Sequence, residues 1–211
     1  MITLRTSTCV CLAMAAVLCM LFAACGDKGP AAKQSGGASG RDSVKAPADT
    51  TFRTNLPAGR FHLPTRHTPA PDFFITLPAG YTVKDLSHLP NDEYFFVRND
   101  DPSLRDSTKI TPGFMCFYVG VNPRTAIEKG MKYGEQPATL CNTPVIWRIW
   151  TEKLPDGAPY FQREIASHDI FATISPELGR APLHLYVYVA GSDSTRVAEL
   201  MRAAGTLALS P

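Results

Sequence analysis

LHLYVYVAGSDSTRVAELMRAAGTLAL, residues 183–209, holds three structural elements in succession. Leu183, Leu185, Val187 and Val189 alternate with His184, Tyr186, Tyr188 and Ala190, the two-residue period of a β-strand with two unlike faces. Ser192 or Asp193 then caps a helix whose Val197, Leu200, Met201 and Ala204 recur at i, i+3, i+4 and i+7, one apolar stripe. Gly205 stops that helix, and residues 206–209 read as a last short strand. A helix with a single apolar stripe between two strands needs a sheet to lie against.

Upstream segments supply that sheet. Phe73-Phe74-Ile75-Thr76-Leu77 is a strand, and Pro78-Ala79-Gly80 is the turn that follows it. Residues 81–86 and 94–98 read as further strands, and 99–112, with three acids, two prolines and two serines, as a long surface loop. Residues 114–121 are continuously apolar, as expected of a strand covered on both faces. Asn122-Pro123 then predicts a helix start, with Ile127 and Met131 facing the core, Gly130 weakening it and Gly134 ending it. Strands are predicted at 145–151 and 160–166, joined by a turn around Pro155-Asp156-Gly157, and again at 170–174. There is no internal repeat. The expected fold class is α+β: an antiparallel sheet flanked by helices.

The first part of the chain is of another kind. Of the 211 residues, 45% are hydrophobic, but this overstates the core. Arg5 is the only charged residue before Asp27, and CVCLAMAAVLCMLFAA (residues 9–24) is apolar over 16 positions. A transmembrane helix needs about 20 such residues. A basic start, a short apolar centre and small residues at its end are the parts of a secretory signal peptide, with an uncleaved anchor as the alternative. Residues 25–70 follow as a tether rich in Gly, Ala, Ser, Pro and Lys, too poor in large apolar groups to fold alone. Its later part adds Phe52, Leu56, Phe61 and Leu63 among prolines and reads as an extended arm along the domain. The folded domain is expected over 71–211.

Charge divides along the same line. Residues 26–70 hold seven Lys or Arg against three Asp, whereas from Pro71 onward 13 basic residues face 16 acidic ones. A mildly acidic domain is poorly suited to a phosphate backbone, so no nucleic-acid partner is expected. The basic tether can meet anionic headgroups or simply stay solvated.

Phe22-Ala23-Ala24-Cys25-Gly26 resembles the lipobox of bacterial lipoproteins. That family prefers Leu three residues before the cysteine, where Phe22 stands here. The resemblance implies diacylglycerol on the Cys25 thiol, cleavage before Cys25 and acylation of the new amino terminus. It also implies a membrane partner through that lipid, on the periplasmic side of the cell envelope. Gly26 rather than Asp after the cysteine is similar to the pattern that permits transfer to the outer membrane. Two or three acyl chains hold a protein at a bilayer where one holds it only marginally. Cys9, Cys11 and Cys19 leave with the signal peptide, so Cys116 and Cys141 remain as a disulfide candidate, the alternative being two separate buried thiols.

Phe74-Ile75-Thr76-Leu77-Pro78-Ala79-Gly80-Tyr81 and Tyr188-Val189-Ala190-Gly191-Ser192 are similar to segments of the PsbP-like group, which includes DcrB-type lipoproteins. The resemblance covers residues of about 72–210. It implies an α/β/α sandwich and a non-enzymatic binding or assembly role with an envelope protein partner, and it supplies no catalytic site.

The residues themselves carry no nucleophile elbow, phosphate loop, dinucleotide fingerprint, zinc-protease motif or Cys-x-x-Cys pair, and no cofactor is expected. His62 and His67 read as surface histidines rather than metal ligands. His168-Asp169 is the only adjacent His–acid pair, and neighbours on a strand point to opposite faces. Asp100, Asp101 and Asp106 lack the spacing of a calcium loop. No catalytic or metal-binding residue is therefore assigned. Candidate ligand contacts are Trp150, Trp147, Tyr186 and Tyr188. Trp147 and Trp150 fall on opposite faces of their strand, one in the core and the other free to reach a cleft. His184, Tyr186 and Tyr188 share a face that is a binding surface if no helix covers it and packing if one does. The expected role is a lipid-anchored envelope binding or assembly protein, with an envelope hydrolase of scattered site residues as the rival.

Overall fold

The structure is a computed structural model, described here for residues 52–174, 177 and 182–210. Cys25 and the signal segment lie outside the described residues. Eleven strands among these residues form two antiparallel sheets. The large sheet contains β1 (Phe52–Leu56), β4 (Tyr81–Asp85), β5 (Asn91–Arg98), β6 (Phe114–Gly120), β10 (His184–Gly191), β9 (Pro159–Ser167), β8 (Thr143–Lys153) and β7 (Gly134–Leu140), in that spatial order. The small sheet contains β11 (Ala208–Leu209), β3 (Phe73–Leu77) and β2 (Gly59–Leu63).

The C-terminal reading is borne out. β10 lies between β6 and β9 near the middle of the large sheet, and its alternation serves two covered faces. After it comes α2 (Ser194–Ala204), capped by Asp193, whose carboxylate accepts from the N–H groups of Thr195 and Arg196. Val197, Leu200, Ala203 and Ala204 are buried where α2 touches β10, β3, β6 and β9. Gly191 has to be glycine: a Cβ there would collide with the Pro112 carbonyl at the point where the chain leaves the sheet.

The main core lies between one face of the large sheet and a layer made of the small sheet and α2. Phe73, Ile75 and Leu77 of β3 alternate inward, and Phe73 meets Phe117 of β6 edge-on at 4.9 Å between ring centroids. Trp147 is buried in this core.

The expected α+β class, an antiparallel sheet flanked by helices in an α/β/α sandwich, is overturned: the described residues are mostly β, in two antiparallel sheets. Besides α2, the described residues hold one short α-helix, α1 (Asp169–Ile174), and a 3-10 turn (Pro102–Leu104). α1 stands where a strand was predicted. Ile170 and Phe171 are adjacent and both fully buried, which suits a helical turn but not the alternation of a one-sided strand. The helix predicted after Asn122 is absent as well. Residues 121–133 have neither helix nor strand and cross the second face of the large sheet as an irregular strap. Gly130 takes a positive φ of 87°, and the Ala126 N–H is drawn to a buried carboxylate below instead of into a helical turn. Strands β1 and β2 lie inside the arm, and β7 begins at the predicted helix stop Gly134.

Candidate functional site

The large sheet's second face is set by register. From β5 across β6 and β10 to β9, Cα partners place Glu93, Tyr118, Tyr186 and Ala166 in one row. A second row runs Phe95, Cys116, Tyr188, Glu164 and, on β8, Arg148. A third runs Phe114, Ala190, Gln162 and Trp150. Aromatic rings dominate. Tyr186 and Tyr188 stack with centroids 6.1 Å apart and planes 6° apart, Trp150 lies 6.4 Å from Tyr188, and Phe114 lies 5.8 Å from it.

Among the described residues no helix covers this face, yet it is not open. Tyr186, Tyr188 and Trp150 are 4%, 5% and 6% exposed, because Ala126, Ile127 and Met131 of the strap pack over them. The two tryptophans do point to opposite faces as the spacing predicts, but Trp150 reaches no solvent-filled cleft.

Two carboxylates fasten the strap. Glu164 is fully buried and accepts from the Thr125 hydroxyl at 2.8 Å, the Ala126 N–H at 2.7 Å and the Tyr186 hydroxyl at 3.2 Å, with Arg148 at 2.9 Å. Glu93 takes both arms of the Arg124 guanidinium at 2.9 Å each, and that guanidinium lies 3.8 Å above the Tyr118 ring. Such bidentate pairs fix orientation as well as distance. The Tyr118 hydroxyl sits 2.7 Å from Asn91 Oδ1 and 3.0 Å from the Asn122 carbonyl. Burial, and then Glu164, push the Tyr186 phenol far upward. Burial, and then Glu93, do the same to the Cys116 thiol, which donates to Glu93 at 3.3 Å. A thiol held protonated is a weak nucleophile, so the chemistry of this face is hydrogen bonding and aromatic contact.

Other candidates are dispersed. Cys116 lies on the strapped face and Cys141, at the β7–β8 turn, packs against the main core; both are free thiols, not a disulfide. The His62 ring pairs with Asp72 at 2.6 Å, whereas His67 offers its backbone N–H to Asp92. The His168 ring bonds the Leu183 carbonyl and lies 5.3 Å from the His184 ring. Asp101 caps Ser103 and accepts from Thr111, Asp106 holds Thr108, and Asp100 meets Arg98, so the three do not converge. Among the described residues no group of three or more His, Cys, Asp or Glu could hold a metal ion, and no helix is long and apolar enough to cross a membrane.

Sequence reading named Tyr186, Tyr188 and Trp150 of this face but missed Tyr118, Phe114, Phe95, Glu164, Gln162, Glu93, Arg124 and Arg148. Their one signal is parity: Gln162 and Glu164 share a side of β9, which becomes meaningful only once β9 is known to pair with β10.

These features define a two-sheet antiparallel β domain with one aromatic face closed by an irregular strap. No family model, curated protein or solved structure matches the chain.

Proposed function

We propose that this chain is a lipid-anchored cell-envelope protein whose β domain binds or helps to assemble an envelope partner without catalysing a reaction. Cys25 carries the lipid and holds the domain at the periplasmic side of a membrane, the outer one by the Gly26 pattern. The observation that carries the anchor is Phe22-Ala23-Ala24-Cys25-Gly26 directly before a polar tether. Support for binding rather than turnover comes from the strapped face, where Glu93 and Glu164 are engaged in fastening backbone and side chains.

Replacing Cys25 with serine tests the anchor. The mature wild-type protein should enter the detergent phase on cloud-point separation, and the variant should stay aqueous or remain uncleaved. A variant that partitions as before at its former mature mass removes the anchor. Co-purification from solubilised membranes tests the binding role: a reproducible partner supports it, and turnover by the isolated protein overturns it.

A further inference from the structure

Four side-chain atoms among the described residues are buried with no hydrogen-bond partner, and two of them, Trp150 Nε1 and Gln162 Nε2, belong to cross-strand neighbours on the strapped face. Both residues are at least 94% buried. An indole N–H can only donate. The Gln162 amide is oriented by its oxygen, which accepts from the Tyr188 hydroxyl, so its nitrogen also faces the site as a donor. Two enclosed donors on register-paired residues, within one aromatic cluster, call for an acceptor.

The surroundings narrow the acceptor. Glu164 lies two residues from Gln162 on the same side of β9 and is matched by Arg148, as Glu93 is by Arg124, so these groups offer an ionic ligand no unmatched charge. Phe114, Tyr160, Ile127 and Met131 pack around the cluster and favour an apolar body. Access depends on the strap, which has no strand ladder to the sheet below. Its fastenings are the polar contacts to Glu164, Glu93 and the Tyr118 hydroxyl, the Arg124 guanidinium over the Tyr118 ring, and three apolar side chains. Segments held in this way open locally at less cost than paired strands.

We infer that the strapped face, exposed when the strap opens, is a binding site for a small neutral carbonyl compound (a ketone, ester or amide with an apolar body), whose oxygen accepts from Trp150 Nε1 and Gln162 Nε2. The inference rests on reading the domain as a binding module, and names the ligand class for this face.

The chain holds two tryptophans, so the full lipidated protein in detergent, labelled with nitrogen-15 at tryptophan, gives two indole resonances, assigned with W147F and W150F. Cyclohexanone is the probe, with methylcyclohexane and acetate as controls. Cyclohexanone should move the Trp150 N–H downfield to saturation and leave that of Trp147 in place; neither control should do so. In Q162L the same titration should saturate at roughly tenfold higher concentration, the loss of one hydrogen bond. An unmoved Trp150 resonance, an equal response to methylcyclohexane or an unchanged midpoint in Q162L overturns the site, and an equal response to acetate overturns the neutral ligand. The titration of the wild type decides the matter even if Q162L does not fold. Partner capture is read separately: a chain that keeps its partner without a Trp150 shift loses this site and retains its binding role.

Discussion

His184 stands at the start of β10 with the His168 ring beside it, and the two imidazoles cannot both be charged without repulsion. A carbonyl only accepts, so the His168 nitrogen facing Leu183 carries its proton in the neutral ring. Burial first, and His168 second, hold His184 below its ordinary pKa of 6.5. The unfolded chain therefore binds the proton more readily than the folded one. The resulting stability is complete above 6.5 and is lost as pH falls from there toward the folded value. Urea unfolding of the wild type should show stability falling between pH 7 and 5, and H184Q should flatten that slope; an identical slope would remove His184 as its source. Asp72 is separable, because the Thr65 N–H lowers its carboxyl from an ordinary 3.8, and its contribution is lost only at more acid pH. Burial raises the Cys141 thiol to about 12, so alkylation of the folded protein at neutral pH should be slow there.

The strap shows at the scale of one element why half of this fold was legible and half was not. β10 and α2 were readable because each buries a face whose period is its own: alternate residues in β10, a 3.6-residue stripe in α2. Residues 121–133 carried a sound helix start, but a start needs a stripe to continue it, and here only Ile127 and Met131 are apolar at helical spacing. What decides the segment is Glu164, 38 residues away from Ala126, and no local pattern encodes that pairing. β7 was illegible for a related reason. As an edge strand with Pro137 at its centre and most of its residues exposed, it has no apolar period to display. Glu164 is consequently the residue on which the element depends. E164L leaves Arg148, Thr125 and the Ala126 N–H without their acceptor inside the protein, and should cost about 3–5 kcal/mol. E164Q keeps the shape and one acceptor and should cost less, about 1–2 kcal/mol. Equilibrium urea unfolding gives both values. Equal losses in the two variants would mean that the lost carboxylate charge, not the shape or the acceptor that Gln keeps, accounts for the fastening.

Across the whole molecule the chain closes on itself through its last residues. β11 pairs with β3, so the C-terminal segment completes the small sheet, whose other strand β2 comes from the beginning of the domain. The Thr206 hydroxyl accepts from the Thr76 N–H, and the Leu207 carbonyl accepts from the Cys141 N–H at the β7–β8 turn. Leu207 thus lies between Thr206 and β11, which bond to β3, while its own carbonyl holds the β7–β8 turn, and it is 3% exposed within the main core. None of these contacts is local, and burying one apolar side chain here joins segments that sequence distance keeps apart. L207A removes that side chain but leaves both backbone pairings possible, so it isolates packing from the ladder. The expected loss is about 2–5 kcal/mol, read from the urea midpoint. Amide exchange should rise in β3 and at Cys141 together, because the segment this side chain anchors in the core bonds to both. Faster exchange confined to β11 would instead make the C-terminus a strand added to a layer already stable without it.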